Sequence, residues 1–118
     1  MIDKMISTMF LSRDVAHREH LKTSSYAQHM ALGDFYDGVI DLADSLAETY
    51  QGLGNLIEDI PYMSHDGEGN ITTILKKHLT LIQRYRGKCE IKSNALENVF
   101  DDIETFYLST LYKLKFLK

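Results

Sequence analysis

Apolar side chains recur along this chain in steps of three and four, and nowhere do they show the alternation of a half-buried strand, so helix is predicted almost throughout. Ile2, Met5, Ile6, Met9, Phe10, Arg13, His17, His20 and Leu21 mark one face of a first helix. Thr23-Ser24-Ser25 interrupts it. Ser25, with Gln28 three residues on, has the form of a capping box. A second helix is therefore predicted from there to about Gln51, where Gly52-Leu53-Gly54 supplies the stop. Residues 54–70 hold Pro61, Gly67 and Gly69 and read as a connection. Ile71, Ile74, Leu75, His78, Leu79, Ile82 and Tyr85 set out a third helix ended by Gly87. Asn94 with Glu97 reads as the capping box of a fourth, which runs through Val99, Phe100, Ile103, Phe106, Tyr107, Leu111, Leu114 and Leu117. Four amphipathic helices in so short a chain predict an all-α fold, a four-helix bundle.

The 118 residues make a single domain, residues 1–118, large enough to bury a core without covalent staples. At 44% hydrophobic and 25% charged the chain is too apolar for wholesale disorder. One cysteine, Cys89, rules out a disulfide framework and a cysteine-based zinc cluster. No apolar run approaches the ~18 residues of a membrane span and no signal-peptide pattern opens the chain, so a cytoplasmic protein with no membrane partner is expected. Charge is uneven. Residues 1–59 carry four basic and ten acidic side chains, residues 60–118 nine and seven. The acidic first half makes nucleic-acid binding unlikely on electrostatic grounds and suits cations.

The candidate chemistry lies in polar residues on faces that ought to be apolar. His17 and His20 continue the first stripe; on the second helix His29, Gly33, Tyr36/Asp37, Ile40, Asp44 and Ala47/Glu48 share a face. A buried carboxylate without a partner costs several kcal/mol, so Asp44 and Glu48, one turn apart, need a cation, a donor or water. Imidazole with carboxylate suits iron, with zinc or manganese as alternatives, and no organic cofactor is indicated. His29 and Asp44 stand 15 residues apart, about 22 Å along a helix, too far to share one ion within a chain. If they share a site, the second helix must meet its own copy across a two-fold axis. That helix is apolar nearly all round (Met30, Leu32, Phe35, Val39, Ile40, Leu42, Leu46, Tyr50), which predicts a homodimer built on it, extensible to a cage. Asp37, Asp41, Asp101 and Asp102 read as solvated faces, and His65 and His78 as surface or satisfied core histidines. The 66–70 segment reads as a turn and Cys89 as inert.

The spacing His17-x11-His29-x14-Asp44-x3-Glu48, followed by Leu53-Gly54, resembles the ferroxidase signature of the Dps family, the ferritin-like DNA-protection proteins. The likeness covers residues 10–54. It implies a ferritin-like bundle in which His17 and His29 of one subunit meet Asp44 and Glu48 of its two-fold mate to bind iron. The family's further aspartate falls on Gly33, so His20 or Asp34 would have to stand in for it, and the tryptophan usual after the first histidine is Arg18. The Lys-rich tail associated with DNA binding is absent, and the chain is also similar to short ferritin-like proteins encoded by phages. Two functions follow as expectations. One is binding, oxidation or sequestration of iron at an inter-subunit site, a ferroxidase in its active form. The other is a non-catalytic oligomeric helical protein, such as a phage particle component located in the virion, in which the same residues form an interface hydrogen-bond network.

Overall fold

A computed structural model describes residues 1–65 and 69–118, so the turn predicted over 66–70 lies largely outside the described residues. The helices are α1 (Ile2–Lys22), α2 (Tyr26–Gly52), α3 (Ile71–Gly87) and α4 (Asn94–Phe116), and no strand occurs among the described residues. The starts of α2, α3 and α4 follow side-chain caps, whereas α1 opens at Met1 without one. Ser25 Oγ accepts from the Gln28 N–H at 3.2 Å, as predicted, while the Ser25 N–H turns to Thr23 Oγ1. Asn70 Oδ1 accepts from the Thr73 N–H at 2.9 Å. At α4 the cap is Ser93 rather than Asn94: its Oγ accepts from the Leu96 N–H at 3.3 Å. Glu97 therefore closes no capping box and reaches Arg86 instead.

The chain forms a four-helix bundle. α1 packs against α2 and α3, α4 packs against the same two, and the pairs α1/α4 and α2/α3 stand diagonally apart. The connection after α2 explains this order. Leu56 and Ile57 lie beside Met1, Ile2 and Asp3, and the chain then climbs along α1, where the Ser7 hydroxyl donates to the Pro61 carbonyl and Met63 Sδ lies 3.5 Å from Thr8 Oγ1. Gly69, Asn70 and Ile71 come to rest beside Arg18, Glu19 and Lys22, at the far end of α1. α3 thus begins at the end where α2 begins. The helix directions run up, down, down, up, with one long crossover between two short connections.

The buried side of α1 is wider than its sequence stripe. Phe10 and Leu21 are 41% and 73% exposed and Arg13 is exposed, whereas Ser7, Thr8, Ser12, Val15 and Ala16 are buried. Small side chains here let α1 approach α3 and the crossover as well as α2. In the core Phe35 stacks on Phe106 at 5.5 Å and meets Tyr107 nearly at right angles, ring centroids 5.1 Å apart. A Cβ on Gly38 would lie 2.5 Å from Phe106 Cζ, so the Phe106 ring occupies the space that glycine leaves and would have to shift for any larger residue. Arg86 lies over the Phe100 ring and bonds Glu97, Asp101 and Glu104 on α4. Burial opposes its charge, but those three carboxylates outweigh burial and hold its pKa above the usual guanidinium value. No helix among the described residues is long and apolar enough to cross a membrane.

One polar chain crosses this core. The Tyr107 phenol donates to Ser12 Oγ at 2.7 Å, and Ser12 Oγ lies 2.7 Å from His78 Nδ1, joining α4, α1 and α3. Burial pushes the phenol pKa above its ordinary value. Ser12→Ala removes the shared partner of both aromatic groups and should cost about 2–4 kcal/mol of stability, because two buried polar groups lose their bond. Tyr107→Phe leaves Ser12 with His78 and should cost only about 1 kcal/mol. Urea denaturation of the two variants checks this; equal losses would show that Ser12 is not the hub.

Candidate functional site at the histidine cluster

The short turn at residues 23–25 folds α2 back along α1, so residues at similar distances from the turn face one another. His20 and His29 are such a pair. His20 Nδ1 lies 2.6 Å from the His29 carbonyl oxygen, His29 Nδ1 lies 2.8 Å from the His20 carbonyl oxygen, and the rings stack at 3.7 Å, 15° from parallel. A carbonyl oxygen only accepts, so both Nδ1 atoms carry protons and donate them. Each neutral ring therefore keeps its lone pair on Nε2. His17 stands one turn back and stacks on Tyr36 at 4.0 Å, 6.2 Å from His20. Tyr36 meets His20 edge-on at 5.1 Å.

This arrangement departs from the spacing that suggested it. The imidazole against His29 is that of His20, and His17 pairs with Tyr36 instead. Gly33 explains the substitution of partners. A Cβ there would lie 3.1 Å from His20 Cε1 and 3.3 Å from its Nδ1, so the His20 ring fills the space where a larger residue would stand. Asp34 is exposed and plays no part in the cluster. Asp44 and Glu48 are exposed too, so within one chain water solvates them. The α2 face divides in two. His29, Gly33, Tyr36, Ile40 and Ala47 are half-buried along one flank, while Asp34, Asp37, Asp41, Asp44 and Glu48 form an exposed stripe beside it, roughly 80° wide at 100° per residue. Of the apolar residues thought to surround α2, Leu32, Phe35, Val39 and Leu46 are buried, Ile40, Leu42 and Tyr50 are half-buried, and Met30 is the exposed one.

Among the described residues no three His, Cys, Asp or Glu side chains are placed to hold one metal ion. Ring geometry gives a reason for the histidines. Nε2 lone pairs lie in the ring planes, and two nearly parallel stacked rings cannot direct them at one ion at about 2.0–2.1 Å. Each imidazole offers at most one outward ligand, and its Nδ1–H bond to a carbonyl is the kind of support that ligating histidines receive.

The sequence did not single out Ser12 or Tyr107, and read His78 as a satisfied core histidine. His78 also lines an open cavity of about 500 Å³ between α1, α3 and the crossover, floored by Leu11, Met63, Ile74 and Leu81. The signal for Ser12 was a small hydroxyl in register with the apolar positions of α1.

The profile of a family of unknown function, DUF5856, matches residues 20–114, and the chain belongs to that family. No curated protein and no solved structure matches it.

If His20 occupies the space over Gly33, the two positions are energetically coupled. Gly→Ala inside a helix ordinarily stabilises by about 0.5–1 kcal/mol. Gly33→Ala alone should gain nothing or destabilise, because the methyl presses on a ring held by stacking and a hydrogen bond. In a His20→Ala background the same change should recover the ordinary gain. A double-mutant cycle by thermal denaturation measures the coupling; strict additivity would refute the contact.

Proposed function

We propose that this member of the DUF5856 family is a non-catalytic, self-assembling helical module in which the histidine cluster works as an internal clamp rather than as a reaction centre. The observation that carries this reading is the reciprocal bond pair. His20 and His29 each place Nδ1–H on the other's backbone carbonyl and stack, which ties the last turn of α1 to the first turn of α2 across the loop. His17 on Tyr36 extends the same clamp one turn inward. The imidazoles are supported without an ion, and the carboxylates stand on a different, solvated face.

Binding and oxidation of Fe(II) is the second reading, and a specific observation favours it. Both Nε2 lone pairs remain available, and a bundle with a single long crossover is the connectivity of ferritin-like folds. In that reading His29 with His17 would take an ion together with Asp44 and Glu48 of a second copy, iron being the substrate and zinc or manganese the competing ions. An amide oxygen is a poorer ligand than a carboxylate, so Glu48→Gln should weaken such a site.

Thermal denaturation with Fe(II) under argon and with Zn(II) separates the two. A bound ion raises stability with the logarithm of its concentration over Kd, about 2.7 kcal/mol at a hundredfold excess over Kd. The clamp reading expects no metal-dependent rise, no difference between wild type and Glu48→Gln, and Fe(II) oxidation at the buffer rate. A concentration-dependent rise that Glu48→Gln diminishes would replace it with the iron reading.

A further inference from the structure

The two helices at diagonal corners of the bundle carry opposite, unmixed charge. α2 holds Asp34, Asp37, Asp41, Asp44 and Glu48 and no lysine or arginine; α3 holds Lys76, Lys77, Arg84 and Arg86 and no acid. Within α3, Arg86 is turned to α4 and bonded by Glu97, Asp101 and Glu104. Lys76 and Arg84 are exposed on the outward arc with Thr73 and Thr80, away from that acidic flank. Because α2 and α3 do not touch, these faces cannot neutralise one another inside one molecule.

We propose that the outward face of α3 is a docking surface for the α2 face of a second copy of this chain, giving a head-to-tail assembly held by opposite charge. This rests on the self-assembly reading above and names its interface. Complementarity extends to register. Phe35 of α2 and His78 of α3 stand at one level of the bundle, because Phe35 packs on Tyr107, and Tyr107 bonds Ser12, which bonds His78. The same offset sets Asp34 level with Lys76 and Lys77, Asp41 level with Arg84, and Asp44 one residue short of Lys88. α2 and α3 run in the same direction, so a copy displaced along the diagonal without turning over brings these levels together. Met30, 47% exposed on the acidic stripe, then falls level with Thr73, one residue short of Ile74, where the cavity beside α3 opens over Leu11, Ile74 and Leu81. An apolar side chain of the arriving copy thus meets an apolar recess beside the basic ridge. By contrast, an α2-to-α2 dimer sets five carboxylates against five.

A head-to-tail contact uses two different patches, so copies add in a ring or an open filament rather than stopping at a two-fold pair. Sedimentation velocity in EDTA, at ~0.01 M and ~1 M salt, where the Debye length is about 30 Å and 3 Å, provides the test. Wild type is expected above monomer mass at low salt and at monomer mass at high salt. Lys76→Glu with Arg84→Glu, and separately Asp37→Lys with Asp41→Lys, should each abolish association at low salt. An equimolar mixture of the two variants should restore it, since each supplies the face the other has lost. Circular dichroism must show both variants folded; if a pair is not, the single changes Arg84→Glu and Asp41→Lys take its place. Low-salt association that ignores Lys76→Glu/Arg84→Glu would overturn this interface while leaving self-assembly standing. A wild-type monomer at every salt, with or without metal, would overturn both. Association that needs added metal would favour the iron reading and reject this one.

Discussion

The hydroxyl of Ser12 holds the rest of the bundle in register. It bonds to both Tyr107 from α4 and His78 from α3. Rotating α1 so that Phe10 and Arg13 pointed inward would carry Ser12 out of the core and strand a phenol and an imidazole nitrogen, each at a cost of about 1–3 kcal/mol. That penalty outweighs what burying more of a 41%-exposed Phe10 would return, since a whole Phe side chain gains about 1.5–3 kcal/mol. Tyr107, fixed this way, meets the Phe35 ring nearly at right angles, and the contact carries the level through to α2. Non-directional packing fills the core; a directional bond sets its phase.

Topology decides where charge can go. Had the chain between α2 and α3 been short, the two helices would have been neighbours, and Asp41 and Arg84 could have met as an interhelical ion pair. The crossover along α1 places them at opposite corners instead. Arg86 finds its carboxylates on α4, and the acids of α2 and Lys76 and Arg84 of α3 are exposed. An exposed pair contributes little, 0–1 kcal/mol, so the fold itself loses little stability by this separation. What changes is the outside of the molecule, which acquires two poles.

The helices, their order and most of their bounds were legible in sequence because apolar periodicity and cap chemistry are local signals. Ser25, Asn70 and the glycines that end α2 and α3 act within four residues of their position. The misplaced α4 cap is a competition between adjacent residues, Ser93 and Asn94, that no spacing rule resolves. The inward face of α1 was harder. Periodicity ranks residues by apolarity, and Ser7, Thr8 and Ser12 rank low although they are buried. Their burial follows from partners 54, 55 and 66 or more residues away, such as Pro61, Met63 and His78. The divided face of α2 was similarly hidden: Ile40 and Asp41 are neighbours in sequence, and only the positions of α1 and α4 decide which is covered.

The histidine cluster shows how a helical hairpin selects partners within one chain. Spacing along the chain fixes residue types and intervals, whereas a hairpin of antiparallel helices brings together residues by their distance from the turn. His20 lies four residues before Ser24 and His29 five after it, which makes them partners, while His17 reaches as far as Tyr36. The glycine at position 33 then decides between the histidines by volume. With a side chain at that position the His20 ring would be displaced from its stack; with none, the ring settles on the helix and its Nδ1–H finds the His29 carbonyl. The absence of a side chain at position 33 and the seating of the His20 imidazole over it are therefore one packing event, read from a single contact of 3.1 Å. The outcome is a cluster that closes on itself, and it leaves the acidic stripe of α2, one strip around the helix, free of any duty inside the bundle.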